Sequence, residues 1–367
     1  MTTPVKKVNV FIAVPSLECG GLERNVAMIC NHINTDFFDV SLVVINNRSP
    51  FYPITNPHIK ITDLQCKNVR SSILRLVKLA RATQPDIILS TANHLNLLFA
   101  LFKRLFPEKT RVIVRESSIV SINSKRAKLA GLYDMLLRIF YRKVDLIVCQ
   151  SEYMAKDLIQ HYHIKKQQTV IINNAVEMPL ATAIPDHAKA VTVPQFITVA
   201  RLSEEKGLDR IIRALALLNI PFHYTIIGEG PARKQLQQLI QSLSLQDQVF
   251  LPGSSNQPYA LVQQPALFLM GSHYEGFPNV LLEANALGIP VVVYNAPGGI
   301  AEVVTHLMNG LLVEDGNEKA FAEAVVAALQ TEFDREAIKK ATIDKYDPVK
   351  IMEQWQQLLT KTAFNPR

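Results

Sequence analysis

Two carboxylates eight positions apart, Glu275 and Glu283, flank Gly276-Phe277-Pro278-Asn279-Val280 and the start of a helix-forming run, 280–287. Proline suits a first helical position, because its missing N–H would be unpaired there anyway. The spacing predicts Glu275 in the loop before a helix and Glu283 inside it, less than two turns on. The amides of Asn279 and Val280 then sit at a helix N-terminus, where orphan N–H groups and the dipole favour an anion. Such a site can hold a pyrophosphate with amides and reach hydroxyls on either side with carboxylates. A sugar nucleotide presents its groups in that order: base, ribose, two phosphates, sugar.

Two further anion features lie upstream. An apolar strand, 196–200, ends just before Arg201, with Lys206 five residues on. One supplies a fork of donors and the other a compact point charge, a suitable pair for a diphosphate. Near the N-terminus a strand over 8–14 runs towards Gly20-Gly21-Leu-Glu-Arg24. Paired glycines at a strand-to-helix turn let backbone approach a phosphate closely. A diglycine turn alone is a turn, and a basic loop alone is solvated. The three together, in this order, carry the reading.

Positioning these groups requires a scaffold, and short apolar runs alternating with helical patterns provide one. Strands are expected at 8–14, 40–45, 87–90, 112–115, 146–149 and 170–172, with helices such as 23–33, 71–82 and 95–105 between them. A loose segment rich in Ala, Pro and Thr follows, 176–195, and the alternation restarts at 196–200, 224–227, 249–251, 266–270, 290–293 and 310–313. Such β–α alternation argues for parallel, doubly wound sheets. The expected fold is α/β: two Rossmann-like domains facing across a cleft. The boundaries are 1–180 for the first domain, 181–195 for a linker, 196–346 for the second domain and 347–367 for a terminal helix. Asp347 can cap that helix, Pro348 fits its first turn, and Ile351, Trp355, Leu358 and Leu359 give it an apolar stripe.

With 367 residues, 48% of them hydrophobic, the chain can build two cores. Cys19, Cys30, Cys66 and Cys149 form no C-x-x-C pair, which favours reduced thiols in a cytosolic protein. Lys6-Lys7 before an apolar run resembles a signal peptide, but the run is short, holds Asn9 and meets Pro15. It reads as a first buried strand. No stretch of about 18 uninterrupted apolar residues occurs, so no membrane span is expected. Residues 1–190 carry 25 Lys and Arg against 14 Asp and Glu, while residues 191–367 carry 14 against 18. The basic excess peaks between Lys103 and Lys143, where 11 basic residues face Glu108, Glu116 and Asp134. A basic face suits nucleic acid, an anionic membrane or a phosphorylated substrate, and no nucleic-acid motif accompanies this one. Over 122–143 basic residues (Lys125, Arg126, Lys128, Arg138, Arg142, Lys143) alternate with apolar ones (Leu129, Leu132, Leu136, Leu137, Ile139, Phe140). This pattern fits either a helix lying on an anionic membrane or a core helix with a solvated basic face.

Several segments together resemble the retaining glycosyltransferases of the GT-B fold, family four. They are Gly20-Gly21-Leu-Glu-Arg24, Ser151-Glu152, Val170-Ile-Ile-Asn173-Asn174, Arg201 with Lys206-Gly207, Ile227-Gly-Glu-Gly-Pro231 and Leu251-Pro-Gly253. Glu275 through Glu283, Gly288-Ile-Pro-Val, Gly298-Gly299-Ile-Ala-Glu302 and Asn309-Gly310-Leu-Leu-Val313 complete the set. The resemblance implies that the donor nucleotide lies mainly on the C-terminal half, that the acceptor approaches from the N-terminal half, and that the terminal helix packs back on the first domain.

The resemblance also implies roles. Arg201 and Lys206 take the pyrophosphate and stabilise the departing negative charge. Glu275 binds donor-sugar hydroxyls and, with Arg201 and Lys206, makes the catalytic set. Glu283 takes the ribose hydroxyls. Phe277, Pro278, Asn279 and Val280 present backbone to the donor. Gly20, Gly21 and Gly228 shape loops beside it, and Gly253 lies near the base. No Asp-x-Asp triplet is present, no histidine cluster has metal-ligand spacing, and neither metal nor cofactor is expected. Many family members carry a histidine near the reacting sugar; the matching region here, Val114-Arg-Glu-Ser-Ser118, has none. Glu116 and Ser117 stand there as acceptor-side candidates. His94 joins them, reading either as a cleft residue or as a satisfied structural histidine.

The implied function is transfer of a sugar, from a UDP-sugar in particular, to a glycan or lipid-linked acceptor in bacterial surface polysaccharide or lipopolysaccharide synthesis. The implied place is the cytoplasm, peripheral on the inner membrane, with an anionic membrane surface as a partner and no nucleic acid. The alternatives are a GT-B nucleotide-sugar epimerase and a sugar-nucleotide-binding protein without turnover.

Overall fold

Strands form where the apolar runs fall. The computed structural model describes residues 6–18, 20–176, 193–262 and 264–364. The first unit holds β1 (Val8–Val14), β2 (Phe38–Val44), β3 (Lys60–Asp63), β4 (Ile87–Ser90), β5 (Arg111–Arg115), β6 (Leu146–Cys149) and β7 (Thr169–Ile171). The second holds β8 (Gln195–Val199), β9 (His223–Ile227), β10 (Val249–Gly253), β11 (Leu267–Met270), β12 (Val291–Tyr294) and β13 (Gly310–Val313). The division falls after Ala175 and before Pro348, so the last helix belongs to the first unit. Val176 donates its N–H to the Tyr346 carbonyl at 2.9 Å, inside the second unit. Of the expected linker, residues 181–192 lie outside the described residues, and Gln195 is the first residue of β8.

Both sheets are parallel, ordered β3-β2-β1-β4-β5-β6-β7 and β10-β9-β8-β11-β12-β13. In each, the first strand lies inside and the chain later returns to its other side. Val10 pairs with Val40 on one flank and Ile87 on the other. Ligands in such sheets bind beyond the carboxyl ends of the strands where the order reverses. Those places are β1/β4 in the first unit and β8/β11 in the second, the latter registered by Phe196 opposite Leu267.

Parallel strands buried on both faces need apolar residues throughout, and β4, β11 and β12 are buried at every position. The strand β3 was not anticipated. Its Lys-Ile-Thr-Asp sequence is largely exposed and holds its place by pairing with β2 at the sheet edge. The terminal helix, Pro348–Phe364, lays Ile351, Met352, Trp355 and Leu359 into the core of the first unit, among Val10, Ile12 and Leu42. The 122–143 segment is not one helix. Ala127 is extended after Val120–Arg126, and a second helix starts at Ala130 and runs to Phe140. Among the described residues no helix is long and apolar enough to cross a membrane.

Candidate active site

The loops after β8 and β11 meet because those strands are neighbours. After β8 the chain passes Arg201, makes a single 3-10 turn, Glu204–Lys206, and enters the helix Leu208–Leu215 through Gly207 at φ +52°. A Cβ on Gly207 would lie 2.0 Å from the Gly271 carbonyl oxygen, so only glycine fits both the left-handed conformation and the close approach. Beside that contact the His273 N–H donates to the Glu205 carbonyl at 2.9 Å. Two loops far apart in sequence are thereby fastened together.

Lys206 and Glu275 meet across this seam. Lys206 Nζ donates to Glu275 Oε1 at 2.7 Å, and Ser272 Oγ donates to the same oxygen at 2.6 Å. Burial favours the neutral amine of Lys206, but the charge and hydrogen bond of Glu275, then the charge of Glu205, outweigh it and hold the ammonium above the usual lysine range. Burial alone would raise Glu205. The Ser203 hydroxyl, the residue's own amide and the charges of Lys206 and Arg201 overcome this and hold its carboxyl low. The Arg201 side chain is exposed and makes no hydrogen bond or ion pair among the described residues. The backbone of Glu275 is fixed as well: its N–H donates to Pro297 at 3.0 Å and its carbonyl accepts from Gly299 at 3.2 Å. Gly298, at φ +127°, passes so close that a Cβ would fall 1.6 Å from the Glu275 carbonyl oxygen.

The helix after Glu275 runs Asn279–Ala286, with Pro278 as its N-cap. Proline therefore sits one place before the first helical position, where it was expected, and Asn279 and Val280 supply the first two helical amides. Glu283 lies half-buried in the helix. The Phe277 side chain is buried, edge-on to Tyr346 at 5.7 Å. Gly228 presses on the Ala200 carbonyl and Gly230 on that of Leu202, while the Leu202 N–H donates to Glu229 at 2.9 Å. This loop is thus built against the segment carrying Arg201. The Gly253 carbonyl accepts from the Gly228 N–H at 2.9 Å.

The second unit therefore gathers Arg201, Lys206, Gly228, Gly253, Glu275, Phe277, Pro278, Asn279, Val280 and Glu283. The other candidates, Gly20, Gly21, His94, Glu116 and Ser117, belong to the first unit. Gly20 is the N-cap of helix Gly21–His32 with φ −173°, an extended backbone open to any residue. Glu23 folds its carboxylate back to where a Gly20 Cβ would lie. Burial raises the Glu23 carboxyl, against its own backbone amide, so this helix start already has an acid over it. Glu116 does not face outward. It is fully buried, its Oε1 accepting from Tyr141 at 2.6 Å and Asn96 at 2.8 Å, and burial holds its carboxyl above the usual range. Ser117 is half-buried. His94 is exposed near the start of helix Asn93–Leu101, edge-on to Tyr133 at 5.6 Å.

Sequence reasoning missed Ser272 and Arg210. Ser272 follows the end of β11 by two residues, a position typical of site residues in such sheets. Arg210 lies roughly opposite the apolar stripe Leu208, Ile211, Ile212, Leu215 and reads as a solvated residue; the structure buries it.

Known proteins match this arrangement along most of the chain. Residues 19–178 match the model described as Glycosyltransferase Family 4, and residues 181–345 match the one described as Glycosyl transferases group 1. The chain is 30% identical over 362 residues to N-acetylgalactosamine-N,N'-diacetylbacillosaminyl-diphospho-undecaprenol 4-alpha-N-acetylgalactosaminyltransferase of Campylobacter jejuni, covering 95% of this chain and 97% of that one. The chain belongs to the family 4 glycosyltransferases. Its fold is GT-B, shared with the crystal structure of Anabaena HepE in complex with UDP (TM-score 0.78, 20% identity, 96% of this chain and 100% of that one). It is shared equally with the apo form of the lipopolysaccharide outer core galactosyltransferase WaaB (TM-score 0.77, 18% identity, 96% and 99%). In this glycosyltransferase the loops after β8 and β11 carry two of the segments that resemble the family, Arg201 with Lys206-Gly207 and the start of the stretch from Glu275 to Glu283.

Proposed function

We propose that this glycosyltransferase is a retaining, metal-independent enzyme that moves a sugar from a UDP-sugar to a lipid-linked glycan in bacterial surface polysaccharide synthesis. The observation that carries the reading is the Ser272–Glu275–Lys206 cluster at the β8/β11 switch point, with Arg201 exposed nearby in sequence. An ammonium has three donors. Glu275 takes one of those of Lys206, and the remaining two can meet diphosphate oxygens. Glu275 Oε1 accepts twice from the protein, leaving Oε2 for a sugar hydroxyl. Arg201 adds a second cation for the leaving diphosphate, the task a metal performs elsewhere. Glu283, less than two turns into the helix, is assigned to the ribose. No side chain is assigned as a covalent nucleophile, and transfer occurs on the face the leaving group departs from. The Campylobacter relative's name gives it an undecaprenol-linked acceptor, and the HepE complex contains UDP; both support the substrate classes.

We further propose that the enzyme works in the cytoplasm, peripheral on an anionic inner membrane. Leu129, Leu132, Met135 and Ile139 are 48–65% exposed along and just before the helix Ala130–Phe140. Lys125, Arg126, Lys128, Arg142 and Lys143 are exposed at either end of this stripe. Exposed apolar residues rimmed by cations fit a lipid headgroup layer.

A thermal-shift screen against UDP-, GDP-, ADP- and dTDP-sugars with EDTA present tests the donor reading. A selective shift with a UDP-sugar is expected, since binding to the folded state raises its stability by mass action. No shift with any donor, or one that needs added Mg²⁺, would sink it.

A further inference from the structure

The Lys206–Glu275 pair is itself held from behind. Arg210, on the helix Leu208–Leu215, is 7% exposed. Its guanidinium donates from Nε to the Gly271 carbonyl, from NH2 to the Ser272 carbonyl and from NH1 to Asp315 Oδ1 at 2.7 Å. The plane also stacks over Tyr294, with Cζ 4.1 Å from the ring centre. One side chain from the helix after β8 thus ties together the loop after β11, the end of β12 and the turn after β13. All are at the carboxyl edge of the sheet.

From this geometry we infer that Arg210 is a positioning residue: by fixing the backbone of Gly271 and Ser272 it aims the Ser272 hydroxyl at Glu275 and so sets the Lys206–Glu275 pair. The chain of contacts is short. Arg210 holds the Ser272 carbonyl, Ser272 Oγ holds Glu275 Oε1, and that oxygen holds Lys206 Nζ. A carbonyl alone accepts from any donor. The three acceptors here diverge, and only a planar fork with separate N–H groups reaches them all. A lysine is a single point charge and cannot replace that span. The significance for donor binding rests on the reading of Lys206 and Glu275 given above; the positioning itself does not.

The test therefore reads Lys206 directly. The full chain and its Arg210→Lys variant are treated with N-hydroxysuccinimidyl acetate, and acetylation of Lys206 is quantified by peptide mass spectrometry. Lys60 and Lys319, both exposed, serve as internal references. In the folded variant, Lys206 should react severalfold faster while the references stay constant, because an ammonium released from Glu275 yields the reactive amine more readily. An unchanged Lys206 rate, or one that rises in step with the references, would overturn the inference and leave Arg210 with general packing only. Should Arg210→Lys not fold, Asp315→Asn is read in the same way, since Asp315 is 41% exposed and loses only the outer partner of the guanidinium; there a smaller rise is expected, and none would overturn the inference. UDP affinity is measured in parallel by calorimetry. Weakened binding in the variants supports the chain from Arg210 to the donor. A wild-type chain that binds no UDP would overturn the donor reading alone, with labelling still deciding the positioning.

Discussion

Lys206 is bound by Glu275 within the protein itself, and this shapes what its removal should do. Lys206→Ala unpairs a carboxylate that is only 13% exposed and, on the proposed reading, takes away a cation from the leaving group. Turnover should fall by about 10²–10³, the usual cost of losing one charge-stabilising donor, with a smaller change in donor KM. On the proposed reading of Glu283 as a ribose ligand, Glu283→Ala should weaken UDP binding by about tenfold. Steady-state kinetics and calorimetry on both variants separate the roles; wild-type values in both would remove the site assignment. The pH dependence follows from the raised Lys206. Because its folded value lies above the unfolded one, the charged state and its stabilisation are complete below about pH 10.4 and are lost only as pH rises through the higher folded value. UDP affinity should accordingly show no loss from lysine deprotonation between about pH 7 and about pH 10. A titration midpoint near pH 9 would contradict the pairing seen here.

At the scale of elements, the site depends on close backbone passages more than on side-chain packing. Gly207 against Gly271 and Gly298 against Glu275 leave no room for a Cβ. Those contacts hold the loops after β8, β11 and β12 in register while leaving Arg201 outside. On the first unit the element that matters is the helix Ala130–Phe140. Its buried side is slender, Leu137 being its only buried residue, so the exposed apolar stripe is a surface and not a core in waiting. Vesicle flotation should recover the enzyme with anionic vesicles and not with neutral ones. Exchanging Leu132 and Ile139 together for serine should abolish recovery without changing thermal stability, because both side chains are about half exposed. Equal recovery on both lipids would refute the docking face.

Across the whole molecule, each unit is a parallel sheet with its own core, and the first unit is completed by the last segment of the chain. Trp355 is 2% exposed among residues of β1, β2 and β4. Trp355→Ala should cost the first unit about 3–5 kcal/mol through lost burial and the cavity left behind. It is the one tryptophan in the chain, so its fluorescence follows wild-type unfolding and circular dichroism follows the variant. A loss below about 1 kcal/mol would mean the helix is dispensable to that core.

Much of this was legible in the residue pattern. The buried strands β1, β4, β6 and β13 begin and end where the apolar runs do, because strands covered on both faces must be apolar throughout. The exposed edge strand β3 carries no such mark, since pairing alone holds it. Arg201, Lys206, Glu275 and Glu283 could be singled out because cations, carboxylates and a helix start have local signatures. Their assembly could not be. Sequence spacing does not say that β8 and β11 are neighbours, so the meeting of Lys206 with Glu275 is a product of sheet order. Nor does it say that Glu116 turns inward beneath Tyr141, or that Glu23 covers its own helix start. The amino-acid order determined the elements, the α/β class and the chemical types available. The tertiary structure decided which of those groups touch, and it buried Arg210, which helical periodicity alone would place in water.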